Sequence, residues 1–278
     1  IEVGHISLNV SGSIGFAVTP GDGIDPENLL QRADVAMYSA KAGQGAGVAF
    51  YDAISDENSP RRLRIANDLR SAIASGQVRV VMQPKVRFSD GAIEGLEALA
   101  RWQHPELGNV PPDEFVPIAE RTGSIRDLTI EVLRLSLEAA AWWQAAGRSW
   151  SVSVNVAARN LLDDDFPTIV EELIQRTGCR ASMLMIEVTE TGAVFGSTRA
   201  IEALHRLAGM GVRISVDDFG TGYSSLSYLQ QLPAGEVKID RIFVAAMNED
   251  KRSNAIVRSI LDLARNLDLR VVAEGVEQ

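Results

Sequence analysis

The stretch VRISVDDFGTGYSSLSYL, residues 212–229, opens with a short apolar run that ends on two adjacent carboxylates. Such a run, rich in β-branched residues and followed by glycine, is typical of a buried strand. Asp217 and Asp218 are followed by Gly-Thr-Gly and a row of hydroxyl side chains. The stretch therefore predicts a strand that ends at the aspartates, and it leaves two interpretations open, a polar turn or a metal site.

Similar short apolar runs recur from Leu63 to the end of the chain. The other predicted strands are VRVVMQPKV (78–86), IEGLEALARW (93–102), WSVSVNV (150–156), SMLMIEVTE (182–190), EVKID (236–240) and LRVVAEGVE (269–277). Longer stretches with a 3.6-residue apolar period separate most of them, as at residues 128–147 and 256–267. Because strands alternate with helices, we predict an α/β fold with a largely parallel sheet, either open or closed into a barrel.

The first residues follow a different pattern. Residues 6–18 predict a strand and residues 29–43 a helix, which are too few elements to enclose a core. The polar, proline-containing segment SDENSPRR, residues 55–62, is typical of a linker. We therefore predict a small α+β part at residues 1–54 and a large domain at residues 63–278.

Composition limits the classes of function. The 278 residues are 46% hydrophobic, so the chain can bury a sizeable core. With 27 basic and 37 acidic residues the formal charge is −10, which argues against binding a DNA or RNA polymer. The single cysteine cannot form an internal disulfide, and His104 and His205 lack zinc-type spacing. The lone cysteine fits a reducing compartment, and we expect a cytoplasmic location, alone or as the cytoplasmic part of a larger sensor protein. No apolar run reaches the roughly 20 residues of a membrane helix, so we expect no membrane contact from this segment.

Polar side chains recur at or near the carboxyl ends of the predicted strands. These residues are Glu97, Asn155, Glu187, Asp217, Asp218, Lys238 and Glu274. In a parallel barrel the carboxyl ends of the strands meet at one face, where the active site forms. Adjacent strand residues face opposite sides, so both aspartates can reach one site only if the strand ends there, which the following Gly-Thr-Gly permits. Solvated acidic strand ends remain the alternative interpretation.

The chemistry of this set is consistent with two divalent cations. Five converging carboxylates would repel one another unless cations lay between them. Oxygen ligands suit Mg²⁺ or Mn²⁺, and a shared carboxylate can bridge two ions about 3.5–4 Å apart. Two such ions are a common means of hydrolysing a phosphodiester. Lys238 would then be a fixed positive charge that orients the attacking hydroxide or stabilises the developing phosphate charge.

Six motifs in order resemble the EAL domain of bacterial cyclic di-GMP phosphodiesterases. They are EALARW (97–102), SVNVAARNL (153–161), IEVTE (186–190), DDFGTGYSSLSYL (217–229), VKID (237–240) and AEGVE (273–277). The resemblance implies a modified (β/α)8 barrel and hydrolysis of cyclic di-GMP to the linear dinucleotide pGpG.

The resemblance also implies individual roles. The metal ligands would be Glu97, Asn155, Glu187, Asp217, Asp218 and Glu274, with Lys238 and Glu274 catalytic. Substrate would be bound by Gln83, Leu99, Arg101, Asp240 and Glu277, and Glu190 would hold the loop that follows the aspartates. We also expect a homodimer formed through residues 217–229.

Residues 1–52 resemble the last third of a GGDEF diguanylate cyclase domain, through SIGFAV (13–18) and RADVAMYSAKAG (32–43). The signature loop of that family is absent, so we expect no cyclase activity from this chain. The chain stops where the EAL family would continue into an eighth strand, and we therefore expect an incomplete barrel. Two other readings remain open: a receptor that binds cyclic di-GMP without hydrolysing it, and a dimeric signalling scaffold.

Overall fold

The computed structural model describes residues 2–3, 6–7, 12–19, 25–42, 47–51, 60–189, 197–221 and 229–276. The chain divides into two compact units, Ile1–Asp68 and Leu69–Gln278. The predicted linker lies largely outside the described residues, and its last three residues begin helix α2, Pro60–Ala74.

The described residues of the first unit form two small sheets, one complete helix and the start of helix α2. Its elements are β1 (Glu2–Val3), β2 (Ile6–Ser7), β3 (Ile14–Phe16), α1 (Pro26–Ala42) and β4 (Val48–Phe50). Strands β1 and β2 are antiparallel, whereas β3 and β4 are parallel, and α1 packs on both β3 and β4. Gly15 permits this packing, because a Cβ atom there would lie 2.0 Å from the carbonyl oxygen of Ala33. The predicted helix is present, but the single predicted strand at residues 6–18 is wrong, since β2 and β3 are separate and have different partners.

The second unit is built on one sheet. Its strands are β5 (Val78–Val86), β6 (Ile93–His104), β7 (Gly108–Val110), β8 (Ser151–Asn155), β9 (Leu184–Thr189), β10 (Arg213–Phe219), β11 (Glu236–Ile239) and β12 (Arg270–Ala273). The strand order is β12-β11-β10-β9-β8-β6-β5, with β7 beside β6. All neighbours from β6 to β12 on this path are parallel, while β5 and β7 run antiparallel to β6. The prediction of an α/β fold with a largely parallel sheet is confirmed.

The sheet is strongly curled. Strands β5 and β11 are five strand spacings apart along the sheet, which would place them about 24 Å apart if the sheet were flat. Lys85 of β5 nevertheless contacts Glu236 of β11, with 3.1 Å between Nζ and Oε1. The two side chains can meet only if the sheet closes toward a half-barrel with both residues inside it.

Helices follow most of the parallel strands. They are α3 (Pro112–Thr122), α4 (Ile125–Ala145), α5 (Ala158–Leu161), α6 (Phe166–Thr177), α7 (Thr198–Gly209), α8 (Arg241–Ala246) and α9 (Lys251–Asn266). In α4, Val132, Leu133, Leu137 and Ala140 are buried at helical spacing, and the helix packs on β5, β6 and β8. Because the helices cover the outer face, the inner face is left for polar side chains. Among the described residues, we find no helix with the length and apolarity needed to cross a bilayer.

Candidate metal centre

Lys238 lies at the centre of the polar side chains inside the half-barrel. Its ammonium group donates hydrogen bonds to Glu97 Oε2 at 3.2 Å, Glu187 Oε2 at 2.9 Å and Asp217 Oδ2 at 3.0 Å. A fourth carboxylate, Glu274, lies nearer still, with 2.7 Å between its Oε1 and the ammonium nitrogen. Four strands therefore converge on one cation that is only 1% exposed, as their alignment at one edge of the sheet predicts.

Two residues of the predicted ligand set are positioned by backbone and side-chain hydrogen bonds. Asn155, at the end of β8, donates from Nδ2 to Glu97 Oε1 at 2.9 Å. Glu274 follows β12, and its backbone N–H donates to the carbonyl of Ile239 on β11 at 3.1 Å. These bonds direct Asn155 and Glu274 toward the carboxylates around Lys238.

Asp218 reaches the site through an unusual backbone conformation. The sequence predicted that the strand ends at the aspartates, but β10 continues to Phe219, and its pairing with β11 shifts in register between Val216 and Phe219. Within this irregularity Asp218 has a φ of 54°, in the left-handed region. The backbone N–H of Asp218 also donates to Asp217 Oδ1 at 2.9 Å. The bulge lets neighbouring residues present their carboxylates to the same site.

Burial disfavours the charged forms of most of these carboxylates. Desolvation raises the pKa values of Glu97, Asp217 and Glu274 even though Lys238 opposes the shift. For Asp218, burial, the charge of Asp217 and a hydrogen bond with Asp240 raise the pKa to about 6. These carboxylates hold their protons more tightly than in water, so a bound cation would compete with protons for them.

Glu187 is the exception. Burial alone would raise its pKa, but the charges of Lys238 and Lys85 outweigh burial and lower it. Burial would likewise lower the pKa of Lys238, yet the surrounding carboxylates raise it, so this lysine stays charged. Glu187 thus gives up its proton more readily than an ordinary glutamate, because two lysines contact its carboxylate.

The donor set fits a hard divalent cation. Asp217, Asp218 and Glu274 each offer a carboxylate oxygen, and the three atoms lie within 4.8 Å of one another. Four carboxylates contact Lys238, and Glu187 and Glu236 contact Lys85, so five carboxylates face two lysines and the cluster keeps an excess of negative charge. Oxygen donors and excess negative charge are what Mg²⁺ and Mn²⁺ require.

The other predicted residues lie at varying distances from this cluster. Gln83 pairs with Glu97 in the β5–β6 register and lines the same cavity of about 870 Å³ as Lys238 and Glu274. Leu99 and Arg101 lie further along β6, and Arg101 donates to the carbonyl of its neighbour Ala100. Asp240 caps the N-terminus of helix α8, where its Oδ1 accepts from the backbone N–H of Ile242 at 2.7 Å. Glu190 and Glu277 lie outside the described residues.

Two charged residues of the interior were missed by the sequence reasoning. Lys85 contacts Glu187 Oε1 and Glu236 Oε1, both at 3.1 Å from its nitrogen. The alternation of β-strand side chains could have indicated them, because Lys85 lies two residues after Gln83 and Glu236 two residues before Lys238. Neither lies at the carboxyl end of a parallel strand, because Lys85 belongs to the antiparallel strand β5 and Glu236 is the first residue of β11.

Sequence comparisons with known proteins match this chain to one domain family and to longer relatives. The family model of the EAL domain matches residues 66–278. A bifunctional diguanylate cyclase/cyclic di-GMP phosphodiesterase, MucR of Pseudomonas aeruginosa, is 39% identical over 277 residues, which cover 99% of this chain and 40% of that protein. The cyclic di-GMP phosphodiesterase PdeR of Escherichia coli is 34% identical over 276 residues, covering 99% of this chain and 42% of the relative. The chain thus spans about two fifths of the length of these relatives.

Solved structures share the fold. The structure of the PaMucR phosphodiesterase in complex with c-di-GMP has a TM-score of 0.74 and 40% identity, covering 77% of this chain and 87% of that chain. The EAL domain of FimX from Xanthomonas citri, solved with c-di-GMP, has a TM-score of 0.71 and 20% identity, covering 78% and 85% of the two chains. Because it is only 20% identical, the FimX structure supports the fold alone.

Proposed function

Because the chain belongs to the EAL domain family, we propose that it hydrolyses cyclic di-GMP to linear pGpG with the help of two divalent cations, Mg²⁺ or Mn²⁺. The observation that carries this proposal is the acidic cluster around Lys238, with Asp217, Asp218 and Glu274 close enough to share a cation. Relatives that cover nearly the whole chain are named cyclic di-GMP phosphodiesterases, which supports the choice of substrate.

In this mechanism the residues divide into ligands, a fixed charge and substrate contacts. When bound, the cations would supply activation of water and stabilisation of the leaving oxygen. The proposed ligands are Glu97, Asn155, Glu187, Asp217, Asp218 and Glu274. Lys238 keeps its charge in the buried cluster, so it can stabilise negative charge on the phosphate as the bond breaks. Gln83, Leu99, Arg101, Asp240 and Glu277 would contact substrate, and Glu190 would hold the adjacent loop.

We propose a sheet of the modified (β/α)8 type at residues 63–278, joined through residues 55–62 to a GGDEF-like part at residues 1–54. The parallel pair β3–β4 with helix α1 supports the second assignment, as does the alignment with a bifunctional relative over 99% of this chain. A cytoplasmic location and a homodimer through residues 217–229 are proposed from the family resemblance.

The test is to incubate the protein with cyclic di-GMP and Mn²⁺ or Mg²⁺ and to separate the products by anion-exchange chromatography. We expect pGpG, and we expect EDTA or Glu97→Gln to abolish it. Glu120→Gln is the matched control, because Glu120 is an exposed residue of α3. Binding of cyclic di-GMP without pGpG in either metal would overturn the proposal in favour of the receptor reading.

A further inference from the structure

Lys85 is a second interior cation, and the proposed chemistry does not use it. Its side chain is 14% exposed, and it contacts Glu187 and Glu236, whose side chains are 0% and 3% exposed. The ammonium nitrogen also lies 3.7 Å from Met185 Sδ. The ammonium group of Lys85 therefore lies inside the protein, beside the proposed ligand Glu187.

Small residues make this contact possible. Lys85 belongs to β5 and Glu187 to β9, and β6 and β8 lie between these strands in the sheet. In the β5–β6 register Lys85 lies opposite Gly95, and Gly95 in turn pairs with Ser151 on β8. A Cβ atom at Gly95 would lie 2.3 Å from Ser151 Oγ, so this position excludes a side chain. The lysine side chain can thus extend across the interior where larger residues would obstruct it.

The two lysines hold Glu187 from opposite sides of its carboxylate. Lys238 donates to Oε2 at 2.9 Å, and Lys85 donates to Oε1 at 3.1 Å. An ammonium group has three N–H donors. Lys85 has three acceptors, in Glu187, Glu236 and Met185, whereas Lys238 has four carboxylates around it. Each N–H group of Lys85 therefore has one acceptor, whereas the three N–H groups of Lys238 are shared among four carboxylates.

We propose that Lys85 is a positioning residue, which fixes the Glu187 carboxylate through Oε1 and thereby directs Oε2 toward the metal centre. Glu236 balances the charge of Lys85, so the lysine can occupy this place without adding net positive charge beside the bound cations. The inference rests on the proposed function, because it assigns Lys85 a role toward a proposed metal ligand. Residues that orient a ligand in this way typically alter metal affinity by about 10- to 100-fold when they are replaced.

The decisive variant removes Lys85 and Glu236 together. Lys85→Met with Glu236→Leu removes the contact with Glu187 while leaving the net charge of the interior unchanged and neither partner of the Lys85–Glu236 pair unpaired. Replacing a buried ion pair with apolar residues is often neutral for stability, and the thermal midpoint of the variant verifies this. We expect Mn²⁺, titrated by electron paramagnetic resonance, to bind about 10- to 100-fold more weakly. With cyclic di-GMP, kcat should fall while KM changes little. Parental Mn²⁺ affinity and parental kcat would overturn the proposal and leave Lys85 as the counter-charge of Glu236.

Lys85→Arg decides the question if the paired variant does not fold. It keeps the charge but replaces a compact ammonium group with a longer planar one that cannot occupy the same place among three acceptors. A positioning role predicts weaker Mn²⁺ binding in this variant, whereas a role as charge alone predicts parental binding. Lys251→Met, at an exposed lysine of α9, is the control. The Mn²⁺ titration needs no substrate, so a parent protein that fails to hydrolyse cyclic di-GMP would refute the proposed function without deciding the role of Lys85.

Discussion

Replacing Lys238 with alanine removes the only cation that contacts all four carboxylates Glu97, Glu187, Asp217 and Glu274 in the described part of the chain. Lys238 is fully buried, and removing one partner of a buried ion pair typically costs about 3–5 kcal/mol. For a domain of this size each kcal/mol lowers the thermal midpoint by about 2–4 °C. We therefore expect the metal-free Lys238→Ala variant to melt about 6–20 °C below the parent protein.

Divalent cations should reverse much of this loss, because they supply positive charge to the same carboxylates. A ligand at 100 times its dissociation constant stabilises a protein by about 2.7 kcal/mol. The stabilisation by Mn²⁺ should be larger in Lys238→Ala than in the parent, while the metal content at saturation stays nearly the same. Turnover should nevertheless fall by about 10²- to 10³-fold, the usual effect of losing one preorganised electrostatic group.

The three measurements are the thermal midpoint in EDTA and in saturating Mn²⁺, the content of bound Mn²⁺, and pGpG formation. Lys251→Ala should behave as the parent in all three measurements, because Lys251 is exposed. A metal-free Lys238→Ala protein that melts within about 2 °C of the parent would show that Lys238 does not neutralise the cluster, and a loss of bound Mn²⁺ would show that it organises the ligands.

Three further predictions concern the same interior. Asp217→Asn should abolish pGpG formation, because an amide lacks the charge of a bridging ligand. Retention of more than about a tenth of the parental activity would contradict this role. The pKa of Asp218 is raised to about 6 in the folded protein, so its contribution to stability is complete below the unfolded value near 4 and is lost as the pH rises through 6. In EDTA, Asp218→Asn should therefore gain thermal stability relative to the parent between pH 4.5 and 7.5, and a difference that does not vary with pH would contradict the assignment. Burial raises the pKa of the Cys179 thiol, so native protein should resist iodoacetamide at pH 7.5 and react in urea, as measured by mass spectrometry; rapid native labelling would be the opposite result.

Much of the second unit could be predicted from its sequence, because its strands are short apolar runs that alternate with amphipathic helices. The apolar pattern predicts strand β5, for example, with the observed bounds, Val78–Val86. The convergence around Lys238 followed from a general rule, since parallel strands align their carboxyl ends at one edge. The local apolar pattern and this rule are sufficient to predict the strands and their shared site where neighbouring strands have the same direction.

Features that depend on distant contacts could not be predicted in this way. The apolar pattern of β5 does not indicate that this strand runs antiparallel to β6. Lys85 meets partners 102 and 151 positions away, and only the curl of the sheet brings them together. The left-handed conformation of Asp218 also depends on a distant contact, because the bulge that contains it forms through pairing with β11. Aspartate adopts many conformations, so the residue type alone does not predict this one.

The conformation of Asp218 restricts which amino acids evolution can place there. Glycine, asparagine and aspartate are the residues that most readily adopt a φ of 54°, so the backbone alone favours these three residue types. Of these, aspartate alone carries a negative charge. Asparagine and glycine are each one nucleotide away from aspartate in the genetic code, so the commonest tolerated replacements would preserve the fold and remove the charge. A family member could therefore lose catalysis at this position without losing its structure, which is a short mutational route from an enzyme to a binding protein.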